Sequence, residues 1–194
     1  MESIAVPESL NLLDRDPIAF GGDPVFFRGQ DVLVTGAAGT IGSALVRALH
    51  HAGVSVRGVD LRSADEVDFQ GDLCDAAFLK TVLAGQSIIF HAAALKHVDR
   101  AELDPDLART VNRDVVRQIC TARPLGSRLL FVSTDKAAFP LGVMGQSKRE
   151  AEEIVQSSGS QGPALVVRFP NILGSSDSVL PIWVNQLALG QPLT

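Results

Sequence analysis

Residues 32–42 read VLVTGAAGTIG. The apolar, β-branched run at 32–35 passes directly into glycines at 36, 39 and 42. Such a run bounded by glycine reads as a buried strand. The stretch behind it, 40–51, carries Ile41, Leu45, Val46 and Leu49 on one helical face. This strand–turn–helix suits a bound pyrophosphate. Gly36 permits the tight turn, Gly39 lets the backbone approach the phosphates, and Gly42 lets the helix lie close to the sheet. A helix opening at Thr40 and Ile41 directs its unpaired N–H groups at the anion.

Outward from this unit the pattern repeats. Further strands are expected at 54–59, 67–70, 87–91, 129–133 and 164–168. Further helices are expected at 75–83, 103–122, 144–156 and 179–189. The 103–122 stretch reads as one long helix, with Leu107, Val111, Val115 and Ile119 at four-residue spacing. Strands alternating with helices imply βαβ crossovers and an α/β fold, a doubly wound, mostly parallel sheet. Residues 1–30 read as an N-terminal arm: Leu10, Leu12 and Leu13 suit a short helix, and Pro17, Gly21, Gly22 and Pro24 then break regular structure. Residues 31–194 read as a Rossmann dinucleotide-binding domain, whose ligands are expected at the carboxyl ends of its strands.

Composition narrows the function. Of 194 residues, 46% are hydrophobic and 20% charged, which is core-forming rather than disordered. The net charge of -5 argues against a general nucleic-acid surface. No apolar run is long enough for a membrane helix. Cys74 and Cys120 show no metal spacing and fit reduced thiols of a cytoplasmic protein. The chain has no tyrosine, so no mechanism can use a tyrosine acid or base.

Asp60 closes the second expected strand, 18 residues after Gly42. An acid there accepts the ribose hydroxyls of NAD and repels the extra phosphate of NADP. Arg62, two residues on, pulls the other way, since arginine pairs with a 2′-phosphate. Asp72 and Leu73, in GDL, follow the third strand. Asp72 suits an adenine-edge contact or a helix cap. Ala92 and Ala93, after the fourth strand, leave room for a nicotinamide ribose.

The pieces VLVTGAAGTIGSAL, GDL, FHAAALKHV, FVSTDKA, VMGQSKREAE and VRFPNILGSSDSVLPIW stand in this order along the chain. Together they resemble the extended short-chain dehydrogenase/reductase superfamily, in particular its polysaccharide-biosynthesis branch of nucleotide-sugar 4,6-dehydratases. LLDRDPI at 12–18 resembles the segment preceding the catalytic domain in membrane-anchored members. The resemblance implies a nicotinamide cofactor, with NAD favoured over NADP, and a UDP-sugar substrate, typically UDP-N-acetylglucosamine. It implies oxidation at sugar C4, loss of the C5 proton and the C6 hydroxyl, and hydride return to C6.

By resemblance, Lys148 holds the nicotinamide ribose and lowers the pKa of a neighbouring acid–base group. The position four residues earlier, tyrosine in most of the superfamily, is Met144. A thioether exchanges no proton. Methionine there resembles the dehydratases that retain configuration at C5. Asp135 is then expected to protonate the leaving C6 hydroxyl. Lys136, if burial lowers its pKa, is expected to remove the C5 proton. Thr134 is the expected contact for the C4 hydroxyl. A plain ion pair between Asp135 and Lys136 at a strand end is the alternative. Lys96 and His97 are expected near the sugar or its pyrophosphate, or as solvated surface. Asn171 resembles a residue near the diphosphate, and Arg168 suits either a site contact or a structural salt bridge. No metal site is expected.

Pro170 departs from the family's usual glycine. Relatives of this kind continue past Thr194 into a lobe that closes over the UDP-sugar, so most of that lobe is expected to be missing. Three readings stay open: a truncated dehydratase, a different enzyme such as a nucleotide-sugar 4-epimerase, and a non-catalytic NAD-binding domain. The resemblance also implies a homodimer through the helices at 103–122 and 144–157, although the oligomeric state is not fixed by the sequence.

Overall fold

The computed structural model describes residues 24–172, 175 and 178–193. The short helix expected around Leu10 lies outside them. Six strands form one sheet: β1 (Val32–Thr35), β2 (Val56–Asp60), β3 (Phe69–Gln70), β4 (Ile88–His91), β5 (Arg128–Thr134) and β6 (Ala164–Phe169). Their order is β3-β2-β1-β4-β5-β6, and every pair is parallel. This is the expected doubly wound α/β fold. Strand order reverses between β1 and β4, which opens a crevice at their carboxyl ends.

The helices are α1 (Thr40–His51), α2 (Ala76–Leu83), α3 (Val98–Leu103), α4 (Pro105–Arg109), α5 (Val115–Ala122), α6 (Val143–Ser157) and α7 (Val179–Ala188). Alternation along β1 divides the core. Val32 and Val34 pack with Val46 and Leu49 of α1. Leu33 joins Leu79 of α2, Ile119 of α5 and Val155 of α6 on the opposite face. Each such aliphatic side chain contributes roughly 1.5–3 kcal/mol on burial. The sheet and α1–α6 lie in one compact unit, Phe27–Pro170, while α7 belongs to a second. Among the described residues no helix is long and apolar enough to cross a membrane.

The single helix expected over 103–122 is broken. α3 ends at Leu103, and the Asp104 side chain accepts from Leu107 N at 3.0 Å, capping α4. Pro105 lacks an N–H and suits only a first helical turn. A π-helical turn at Thr110–Asp114 then joins α4 to α5. Its wider winding offsets the apolar stripe, so Leu107 is exposed while Val115 and Ile119 are buried. The third strand is shorter than expected because Asp68 turns its carboxylate onto Gly58 N at 2.7 Å.

Arg123, just past α5, is buried. Its guanidinium donates to the carbonyls of Ser127 (2.7 Å), Gly162 (2.8 Å), Ser158 (3.2 Å) and Pro163 (3.2 Å). One side chain thus joins the end of α5 to the turns that lead into β5 and β6.

Candidate active site

Gly36 ends β1 at a φ of 75°, and a Cβ there would stand 2.6 Å from Ala93 N. Both conformation and space therefore demand glycine. A Cβ at Gly42 would overlap the Gly36 carbonyl, so α1 can approach the sheet only through this glycine. Gly39 stands at the N-cap of α1, where no side chain caps the helix. Thr40, Ile41 and Gly42 form the first turn of α1, and a helix N-terminus is in general a favourable place for an anion.

Asp60 ends β2. Its Oδ2 accepts from Ala38 N at 3.0 Å, and its Oδ1 accepts from Arg62 N at 2.9 Å. The acid is thereby fixed against the glycine turn. The Arg62 guanidinium donates to the Ala38 carbonyl at 3.1 Å and lies 3.6 Å from Asp60 Oδ1. The two side chains expected to compete over a 2′-substituent are bound to each other and to one backbone segment.

Asp72 is not a helix cap: Asp75 caps α2, accepting from Ala77 N and Phe78 N. Asp72 accepts instead from Cys74 N at 2.8 Å, which shapes the turn after β3. Leu73 is buried in the core cluster beneath that turn.

A buried row crosses three strands, from the last residues of β1 and β4 to the middle of β5. Thr35, His91 and Phe131 are paired in register across β1, β4 and β5. Thr35 Oγ1 lies 2.7 Å from His91 Nδ1 and accepts from Ala93 N at 3.4 Å. The imidazole stacks on the Phe131 ring with centroids 5.8 Å apart. Over that ring, 4.1 Å from its centre, sits Lys148 Nζ, donating to the Val132 carbonyl at 2.6 Å. Burial brings the Lys148 amine down to about 7, against a smaller opposing pull from Glu152. Burial, then repulsion by Lys148, brings His91 down to about 3.

This neutral imidazole predicts acid sensitivity. Below the unfolded-state value near 6.5 the unfolded chain takes up a proton that native His91 refuses until about pH 3. Stability attributable to His91 is therefore full above pH 6.5 and falls as pH drops through that window. The expected loss, complete near pH 3, is on the order of 5 kcal/mol. In urea titrations His91→Asn, which retains an acceptor for Thr35, should show a shallower acid slope than the wild type. Equal slopes would show that His91 is not held neutral.

Thr134 ends β5 and caps a single 3-10 turn at Asp135–Ala137. Its hydroxyl donates to Asp135 Oδ1 at 3.0 Å, and Lys136 Nζ lies 3.3 Å from the same oxygen. The Thr134 hydroxyl first, then Lys136, holds the Asp135 carboxyl below its ordinary value. The burial expected for Lys136 is not there: its side chain is 43% exposed, and it is Lys148 that is buried. The physical reason is position. Lys136 leaves a strand tip on a turn, whereas Lys148 projects from the inner face of α6 onto β5. The two segments still lie close, since a Cβ at Gly145 would stand 2.7 Å from the Lys136 carbonyl.

Met144 is buried with Ala101 and Ala108 between α3, α4 and α6. Ala92 and Ala93 directly follow β4. Lys96 is exposed, and His97 occupies the N-cap position of α3. Asn171 falls in the second unit, apart from the sheet's own unit. Arg168, for which two roles were open, binds Glu152 of α6 through two hydrogen bonds, at 2.9 and 2.6 Å.

Three polar residues escape a reading of the sequence. Glu152 is buried and also accepts from Ser133 Oγ at 2.5 Å. Asn112 is buried in the π turn, bonded to Leu95 N and O and to Ser147 Oγ. Glu102 accepts from Val143 N at 2.7 Å, at the start of α6. Each sits in a polar stretch that reads as solvated helix. The spacing of Glu152, four residues after Lys148, was the one available hint.

Residues 59–194 match a family described as polysaccharide biosynthesis protein. The chain belongs to that family. This polysaccharide biosynthesis family member is 32% identical, over 210 aligned positions, to the probable polysaccharide biosynthesis protein EpsC of Bacillus subtilis (strain 168). The match covers 95% of this chain and 35% of EpsC. It is 27% identical to the UDP-glucose 4-epimerase of Rickettsia rickettsii (strain Sheila Smith), over 87% of this chain and 56% of that protein. A solved short-chain dehydrogenase/reductase superfamily protein from Agrobacterium tumefaciens, with bound NAD, superposes with a TM-score of 0.68 at 25% identity. That superposition covers 82% of this chain and 59% of that one. The family member thus spans about a third of EpsC and little more than half of the other two.

Proposed function

We propose that the chain carries the NAD-binding and proton-transfer half of a nucleotide-sugar 4,6-dehydratase that retains configuration at C5 of a UDP-N-acetyl-hexosamine. The observation that carries this reading is the juxtaposition at one sheet edge. The glycine turn, the fixed Asp60 and the Thr134–Asp135–Lys136 turn all end strands of one parallel sheet, with Lys148 behind them. The match to a polysaccharide biosynthesis protein family supports it.

The residues divide the work. Gly36, Gly39 and the first turn of α1 would cradle a pyrophosphate, Asp60 would take the adenosine ribose, and Ala92, Ala93 and Lys148 would flank the nicotinamide ribose. Bound NAD supplies hydride acceptance from C4 and its return to C6. Lys136 would first pass its ammonium proton to Asp135 across their 3.3 Å contact. The neutral amine would then remove the proton at C5, and Asp135 would deliver its proton to the C6 hydroxyl, which departs as water. In the free protein Asp135 is a carboxylate held by Thr134 and Lys136. A sugar entering the turn would have to displace those bonds before Asp135 can act as an acid. Thr134 would then be released to the C4 hydroxyl. Lys96 and His97 would meet the sugar or its pyrophosphate.

Incubation of the purified chain with UDP-N-acetylglucosamine and NAD⁺, followed by mass spectrometry, tests the reading. Loss of one water from the sugar is the expected result. An isomer of unchanged mass would favour the 4-epimerase reading, to which the Rickettsia relative gives some support. No product from folded, NADH-binding protein would overturn the claim that this chain carries the chemistry.

Asp60 also sets cofactor choice. Its carboxylate is fixed by Ala38, and Arg62 is drawn back onto Ala38 and Asp60, so a 2′-phosphate meets an anion. NADH should bind at least about tenfold more tightly than NADPH, a difference of roughly 1.4 kcal/mol. Asp60→Ala should erase that preference in calorimetric titrations. Equal affinities in the wild type would show that Arg62 outweighs Asp60.

A further inference from the structure

Lys148 and Glu152 are four residues apart on α6, so they share a face and are near enough to pair. Both are buried, and an isolated buried lysine would ordinarily draw such a carboxylate to itself. They do not pair. Glu152 Oε1 accepts from Arg168 Nε at 2.9 Å and from Ser133 Oγ at 2.5 Å, and its Oε2 accepts from Arg168 Nη2 at 2.6 Å. Lys148 Nζ is left with the Val132 carbonyl and the Phe131 ring.

The other charged groups around α6 are engaged elsewhere. Glu102 of α3 binds the helix start at Val143 N. Arg113 of the π turn holds Asp114 and Glu150, and Arg117 of α5 also holds Asp114. Arg109 of α4 pairs with Asp106, and Arg149 of α6 with Glu153. Asp135 and Lys136 pair with each other on the turn after β5. His91 of β4 stays neutral and offers the ammonium no counter-charge.

We propose that Arg168 is a positioning residue for Lys148: by taking both oxygens of Glu152 it keeps the carboxylate off Lys148 and leaves a buried amine with no ion pair, poised to exchange a proton. Its use in catalysis rests on the dehydratase reading. There it would explain how the chain moves protons without a tyrosine, since Met144 stands at the position from which a superfamily tyrosine would act. The arrangement also gives the Arg168–Glu152 pair a purpose beyond joining β6 to α6.

The chain has four lysines, Lys80, Lys96, Lys136 and Lys148, so a sample labelled with ¹³C at lysine Cε gives four signals. Lys148→Met identifies one of them. In the wild type the Lys148 signal should titrate near 7, well below the ordinary lysine range. In Arg168→Met the freed Glu152 should raise that midpoint by about one pH unit or more. In the double variant Glu152→Gln/Arg168→Met it should return to the wild-type value or below, which loss of packing alone would not produce. If Arg168→Met does not fold, Arg168→Lys, which keeps the charge but offers no two-pronged contact, should show a smaller rise. A wild-type midpoint in the ordinary lysine range would overturn the proposal. So would an unmoved midpoint in the folded Arg168 variant, or a midpoint that stays high in the double variant. No cofactor or sugar enters the measurement, so it stands apart from the outcome of the dehydration assay.

Discussion

Arg123→Met is expected to lower the unfolding free energy by about 3–5 kcal/mol. Methionine fills much of the same volume but donates no hydrogen bond. The carbonyls of Ser127, Ser158, Gly162 and Pro163 would each lose a charge-assisted donor. Ser127 O is buried together with its residue, so the loss cannot simply be passed to bulk water. The same guanidinium is what ties the end of α5 to the turns entering β5 and β6, the two strands next to each other at the sheet's end. Urea unfolding followed by circular dichroism gives the number. A loss below about 1 kcal/mol would mean that water replaces the guanidinium at these carbonyls.

Lys136→Ala is expected to abolish most dehydration, by about 10²–10⁴-fold, while leaving NADH affinity unchanged. Lys136 and Asp135 stand on an exposed turn, 43% and 52% accessible, so removing the amine opens no cavity and the fold should survive. Asp135→Asn should act on the same step and from the same turn. Combining the two should therefore cost less than the product of their separate effects. Mass-spectrometric rates and calorimetric NADH titrations, run on one preparation, separate the two roles. Collapse of NADH affinity would move Lys136 into the cofactor site, and undiminished turnover would remove it from the chemistry.

Much of the architecture is legible along the chain because its causes are local. The helix at 40–51 is read to the residue from its apolar spacing, and the strands fall within a few residues of their expected bounds. The misreading over 103–122 is also local in origin. A four-residue apolar repeat looks continuous, but Asp104–Pro105 restarts the helix and the π turn shifts its phase. The repeat reports which side chains are apolar, and nothing in it registers one extra residue in a turn.

The site divides along the same line. The glycine turn was decided in the sequence, because the backbone conformation at Gly36 and the close approach at Gly42 exclude a side chain whatever else the protein does. The family's motifs and the absence of tyrosine were equally visible there. Only the tertiary structure decided which lysine is buried and that its neighbouring carboxylate is held by other groups. Lys136 and Lys148 carry the same ammonium, yet one is half in water and the other is enclosed between α6 and β5. Glu152, a plausible surface residue by composition, is turned inward to Ser133 and Arg168, more than a dozen positions away on either side. Burial and charge pairing depend on every element that packs around a group. They are set by long-range packing, which leaves no local periodicity to read.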